Sequence, residues 1–338
     1  MKTYSYLDEP LRIFGVVDFE KTRRLRRLPD ALREEIPSLV FLGQRCPGAR
    51  LCFRTNAKKV TLHIDFETFK PDVGMSVYAA QSAFVYVGDR PVSRFAGLIH
   101  PKDYENKSFS GNFFKSGDME DVTIFLPRNE VIADIRIEVS DDALVEAPTP
   151  YRYSRPVVYY GSSITEGGCS CNHSNAYNAI LSRWLDVDYY NLGFSGNAKG
   201  ELSMADFING IDMSVFVYDY DHNAPNVEHL EKTHEPFFKR IREAHPDLPI
   251  LMMTRPKACY NEENSARREV VRRTYENAVA AGDTLVRFLD GETFYGDVDR
   301  ELCSIDGVHP NDLGFYRMAA AIRPVLEELL LISTNKNR

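Results

Sequence analysis

Two rhythms of apolar and polar residues divide the chain. Up to about residue 150, apolar positions come in short runs that alternate with polar ones. Leu51-Cys52-Phe53-Arg54-Thr55 and Val60-Thr61-Leu62-His63-Ile64-Asp65-Phe66 are the clearest. A period of two is that of half-buried antiparallel strands. Residues 76–80, 83–87, 122–126 and 135–139 read the same way, with turn signals at Gly88-Asp89, Ser116-Gly117-Asp118 and Pro127-Arg128-Asn129 between them. Only residues 28–35 have a helical pattern. Many short strands at this spacing predict an all-β sandwich or jelly roll.

A proline-rich stretch, Glu146-Ala147-Pro148-Thr149-Pro150, reads as a linker, and beyond it the rhythm changes. Residues 156–160, 187–192, 214–219, 249–254 and 285–290 are five nearly continuous apolar runs. Helical patterns over 227–244, 265–281 and 313–331 lie between or after them, and residues beyond Ile332 read as a frayed polar tail. Strands apolar on both faces that alternate with helices predict a parallel α/β sheet. The expected domains are residues 1–150, all-β, and 151–338, α/β.

Composition narrows the partners. A length of 338 residues suits roughly two domains. Lys plus Arg number 41 and Asp plus Glu 49, a net charge of 41 − 49 = −8. That balance argues against nucleic acid and anionic membrane surfaces and for a neutral or small substrate. No window reaches the ~20 apolar residues of a membrane span. The first ten residues lack the apolar core of a signal peptide, so the expected location is cytoplasmic. Of six cysteines, only Cys169 and Cys171 are closely spaced, with His173 two residues on; a second ligand pair is missing, so reduced thiols are expected and no metal or cofactor is implied.

In a parallel sheet, ligands gather outside the carboxyl ends of the strands. After the first run stands Gly161-Ser162-Ser163-Ile164-Thr165-Glu166-Gly167; after the second, Gly193-Phe194-Ser195-Gly196-Asn197; after the third, Asp221-His222-Asn223-Ala224. Asp306-Gly307-Val308-His309-Pro310 follows the fifth. Serine is a weak nucleophile and needs a base within reach, which His309 can supply. Asp306, three residues earlier, can orient the far ring nitrogen. Ser163, at a strand-to-helix turn, would feel the positive helix end. The N–H groups of Ser163 and Gly196 and the Asn223 amide are candidate oxyanion donors. His222 and Arg255 are candidate substrate contacts at the rim. Tyr160 reads as a packing residue, and the single tryptophan, Trp184, in the helical stretch 179–185, reads as core.

These residues resemble the SGNH (GDSL-type) hydrolases, esterases and acyltransferases on a flavodoxin-like sheet. The family's Gly-Asp-Ser block matches Gly161-Ser162-Ser163 with serine in place of aspartate, which makes Ser163 the nucleophile rather than Ser162. Its oxyanion glycine matches Gly196. Gly-x-Asn-Asp matches at Asn223, with Asp221 and Ala224 departing from it. Asp-x-x-His matches Asp306 and His309 unchanged. The resemblance covers about residues 155–332. A strand-rich domain before such a domain is similar to the two-domain carbohydrate esterases of family two, and Gly74-Met75-Ser76-Val77-Tyr78 resembles, loosely, a Gly-x-Asp-Leu-Tyr motif of domains that precede them. This implies removal of acetyl or another short acyl group from a sugar hydroxyl, so that a small-molecule or oligosaccharide ester is the expected partner. Acyl transfer by the same triad, and glycan binding with a non-catalytic second half, are the competing readings. The oligomeric state stays open.

Overall fold

The computed structural model describes residues 1–71, 74–103, 105–259 and 261–335. It forms two compact units. One holds Met1–Pro29, Gly43–Arg152 and Cys171–Ser174; the other holds Asp30–Leu42, Tyr153–Ser170 and the chain from Asn175 onward.

In the first unit the chain runs through β1 (Lys2–Ser5), β2 (Arg12–Phe14), α1 (Phe19–Thr22), then β3 (Arg50–Thr55), β4 (Lys59–Phe66), α3 (Val77–Gln81), β5 (Ala83–Val87), β6 (Arg94–Ile99), β7 (Ser108–Phe114), β8 (Glu120–Phe125), β9 (Ile132–Val139) and β10 (Val145–Glu146). Helix α2 (Asp30–Glu35) belongs to the second unit. The strands make two antiparallel sheets, β1-β9-β4-β7 and β10-β3-β8-β5-β6, with β2 beside β3. Strand β4 buries every second residue, whereas β3 buries all but Arg54. Leu51, Phe53, Leu62, Ile64, Val85, Ile124 and Ile137, drawn from both sheets, belong to one core.

Three local readings differ from the sequence pattern. Residues 76–80 are not a strand: Ser76 caps a helical turn by accepting from the Ala79 N–H at 3.2 Å, and five residues are too few for a helical period to stand out. Glu146 sits in β10 against β3 and not in a linker. The segment around His173 packs with the first unit: the ring meets Phe84 and Phe125 edge-on at centroid distances of 4.7 and 6.3 Å, and Ser174 Oγ lies 2.9 Å from the Tyr86 hydroxyl.

The second unit runs β11 (Tyr153–Gly161), α4 (Ser163–Glu166), α5 (Tyr177–Leu185), β12 (Val187–Gly193), α6 (Leu202–Asn209), β13 (Val215–Asp219), α7 (Val227–Ala244), β14 (Ile250–Met253), α8 (Glu262–Ala280), β15 (Val286–Leu289) and α9 (Asp312–Asn335). The five strands are parallel in the order β12-β11-β13-β14-β15, that is 2-1-3-4-5, the flavodoxin-like winding. Every residue of β13 and β14 is buried, which explains their unbroken apolar runs. Tyr160 is buried and stacks on Phe237 at 4.9 Å. Trp184 is only half-buried, edge-on to Tyr316, with the Arg323 guanidinium over its ring. Helix α9 continues past Ile332 to Asn335, because Ser333 is buried and its Oγ accepts from Arg155 at 2.9 Å. The order reverses at β11 and β13, so their carboxyl ends form the switch point where ligands bind.

Candidate active site

Gly161 closes β11 where a Cβ would collide with Thr165 Oγ1 and the Asp219 carbonyl, so the turn admits glycine alone. Ser162 then caps α4, its Oγ accepting from the Ile164 N–H at 3.1 Å. That occupies the Ser162 hydroxyl locally. Ser163, the first residue of α4 and 8% exposed, instead places Oγ 2.9 Å from His309 Nε2. The rest of α4 is clamped from other elements. Thr165 Oγ1 donates to Asp219 Oδ2 at 2.7 Å, and the Tyr177 hydroxyl donates to the same oxygen at 3.0 Å. The Thr165 carbonyl accepts from Asn178 and Asn191. Burial, reinforced by Asp221, pushes the Asp219 carboxyl up to about 8. Helix α4 has a single turn, so any helix-end effect at Ser163 is that of its first free N–H groups.

Asp306 and His309 form a self-contained turn. Asp306 Oδ1 accepts from the backbone N–H of Val308 at 2.9 Å and of His309 at 2.7 Å, while Oδ2 lies 2.7 Å from His309 Nδ1. Gly307 takes φ +82°, and Ile305 N–H donates to the His309 carbonyl, closing the turn. Partial burial pushes the Asp306 carboxyl up, but the bonds from the His309 ring and the two backbone N–H groups outweigh it and hold the carboxyl below its usual range. A carboxylate at Nδ1 fixes the proton there, leaving the Nε2 lone pair to accept from Ser163 Oγ–H.

The third element is the loop after β12. Gly196 has φ +69° and open space where a Cβ would stand. Its N–H and that of Ser163 take no acceptor among the described residues. Glu166 fixes this loop by accepting from the backbone N–H of Ser195 at 2.9 Å and from its hydroxyl. Asn223 fixes it from the turn after β13, donating one amide N–H to the Phe194 carbonyl at 2.7 Å. His222 lies beside His309, ring centroids 6.3 Å apart, and its Nδ1 receives a hydrogen bond from the Arg255 guanidinium. Asp221 Oδ2 accepts from the Arg255 N–H at 3.1 Å, and buried Arg267 donates to the Asp221 and Ala224 carbonyls at 2.9 Å each.

The structure thus brings Ser163, His309 and Asp306 into one hydrogen-bonded chain, with Gly196, Asn223, His222 and Arg255 on neighbouring strand ends. Glu166, Asp219, Tyr177 and Arg267 were not singled out from the sequence. One of them carried a signal: Asp219 ends the apolar run Val215-Phe216-Val217-Tyr218, where a carboxylate must be buried. A separate groove of about 520 Å³, lined by Arg155, Asp212, His245 and Pro249, lies at the amino ends of the strands, away from these residues.

The parallel sheet thus carries a serine–histidine–aspartate hydrogen-bonded chain at its switch point. The GDSL-like lipase/acylhydrolase family model matches residues 154–327, more than half of the chain, and the chain belongs to that family. Among solved structures, it is similar over 98% of both chains to a GDSL-like lipase candidate from Bacteroides ovatus, with 24% identity and a TM-score of 0.87. It is similar over 97% of both chains to a salicylyl-acyltransferase from a tetracycline biosynthetic pathway, with 20% identity and a TM-score of 0.79. A family two carbohydrate esterase from Clostridium thermocellum, in complex with cellohexaose, matches 85% of this chain and 94% of its own at 15% identity and a TM-score of 0.60. At these identities the likeness is one of fold. No curated protein matches the chain.

Proposed function

We propose that the protein is a serine esterase that removes short acyl groups, acetyl foremost, from carbohydrate hydroxyls in a small molecule or oligosaccharide. The observation that carries this reading is the unbroken chain from Ser163 Oγ through His309 to Asp306. In the first half-reaction Ser163 Oγ attacks the ester carbonyl carbon as His309 Nε2 takes its proton. The tetrahedral oxyanion meets the Ser163 and Gly196 N–H groups and the second N–H of Asn223. Collapse breaks the bond to the alcohol oxygen, which receives the proton from His309, and leaves an acyl-serine. Water then attacks, losing its proton to His309, and the acid departs as Ser163 regains its hydrogen. The two-sheet unit is read as a β-sandwich accessory domain, residues 1–150, before a hydrolase domain, residues 151–338.

Acyl transfer keeps the same triad and replaces water with an acceptor alcohol; the fold likeness to an acyltransferase is what favours it. The test is hydrolysis of p-nitrophenyl acetate by wild type and by Ser163→Ala, with folding checked by circular dichroism. Turnover should fall by about 10³-fold or more in the folded variant. Equal rates would remove Ser163 from the mechanism. Release of p-nitrophenol that rises severalfold on adding an alcohol, with ester as product, would favour transfer.

A further inference from the structure

We propose that His222 binds the alcohol half of the ester, donating a hydrogen bond from Nε2–H to a hydroxyl or ring oxygen that neighbours the scissile bond. The inference rests on the esterase reading and assigns a residue to its substrate.

A guanidinium has only donors, so the contact between Arg255 and His222 Nδ1 obliges that nitrogen to accept. An accepting Nδ1 leaves the ring proton on Nε2, and Nε2 has no partner among the described residues. The ring is half-buried and is held at Nδ1 by Arg255, whose own backbone N–H is tied to the Asp221 carboxylate at 3.1 Å. Burial, and after it the charges of Arg255, His309, Arg267 and Lys257, push the ring down to about 3. His222 is therefore a neutral donor and does not compete with His309 for the serine proton.

Topology gives the direction. The free N–H groups of Ser163 and Gly196 follow β11 and β12, whereas His222 and Arg255 follow β13 and β14, across the switch point. The carbonyl oxygen is drawn to those N–H groups and to Asn223, whose amide reaches across to the loop after β12 at the Phe194 carbonyl. The leaving alcohol must touch His309 to receive its proton, and His222 stands edge-on to that ring at 6.3 Å and 74°. A sugar carries hydroxyl or ether oxygens on the carbons next to its ester oxygen; a plain cycloalkanol carries none. A donor fixed beside the leaving group discriminates between the two, because a buried N–H left without an acceptor is costly.

The experiment compares kcat/KM for mono-O-acetylated methyl xyloside and for cyclohexyl acetate, two six-membered-ring acetates that differ in their oxygens. Wild type should prefer the xyloside about tenfold or more. His222→Phe should bring the ratio near one, and His222→Gln, which keeps an N–H donor, should restore part of it. A wild-type ratio near one, or a preference that survives His222→Phe in folded protein, overturns the proposal. Activity on p-nitrophenyl acetate with none on either alkyl ester also overturns it. Inactivity of wild type on all three substrates overturns the esterase reading and this inference with it. Arg255 is a positioning residue, and its readout is spectroscopic. Imidazole nitrogen resonances of His222 should report the Nε2–H tautomer in wild type and a mixture in Arg255→Met; an unchanged pattern would contradict the role given to Arg255.

Discussion

The turn that carries Ser163 is buried and held by side chains from β12, β13 and α5, whereas the turn that carries His309 is half-exposed and held by its own atoms. Around Ser163, Thr165 and Glu166 reach Asp219 and Ser195, and Asn178 and Asn191 reach back to Thr165. Around His309, three hydrogen bonds come from one residue, Asp306, whose side chain is 46% exposed. The first arrangement spreads positional control over residues far apart in sequence, so a change there costs stability before chemistry. The second concentrates control in one carboxylate, and a change there costs chemistry while the fold persists.

The largest test of that contrast is Asp306→Asn. The amide oxygen still accepts from Val308 and His309, so the melting temperature should shift by no more than a few degrees, while the lost charge and orientation at His309 lower kcat by about 10²-fold or more. A variant that unfolds, or one that keeps full turnover, would contradict the self-contained turn.

The buried side predicts the opposite pH behaviour. Asp219, pushed from 3.8 to about 8 by burial, stays protonated in the folded chain while the unfolded chain has already ionised it. Between those values the unfolded state binds fewer protons, so stability falls as pH rises, by at most about 1.4 kcal/mol per pH unit, and levels off above about 8. Asp219→Asn, which can still accept from Thr165 and Tyr177, should flatten the decline between pH 5 and 8 in urea unfolding. Parallel curves for the two proteins would show Asp219 ionised. Asp306, held low, adds stability that is present above 3.8 and lost only as pH falls through its depressed value.

The smallest effect belongs to Ser162→Ala. It removes the cap on Ile164 at a cost of about 1 kcal/mol, seen in thermal melting, and leaves kcat within a few fold. Loss of activity comparable to that of Ser163→Ala would reverse the assignment of the two hydroxyls.

What could be read in advance follows the same division. Asp306 and His309 are three residues apart, and their interaction is local, so spacing alone predicts it. The five strands of the parallel sheet announce themselves because both faces are buried. The clamp on α4 depends on Asp219 and Asn191, which meet Thr165 across 54 and 26 residues of chain, and nothing in a linear pattern pairs them. The helix at Val77–Gln81 was hidden because its identity rests on one capping serine. Arg267 was hidden inside a charged helical stretch, although it is the one that turns inward to hold the Asp221–Ala224 turn.

The central claim is that Ser163, activated by His309, is the nucleophile. The direct measurement is labelling with a serine-directed fluorophosphonate, followed by intact mass and peptide mapping of wild type and His309→Ala. A single adduct on Ser163 in wild type, formed at least about 10²-fold more slowly without the imidazole, is the predicted result. An adduct on Ser162, no adduct at all, or equal rates with and without His309 would contradict it.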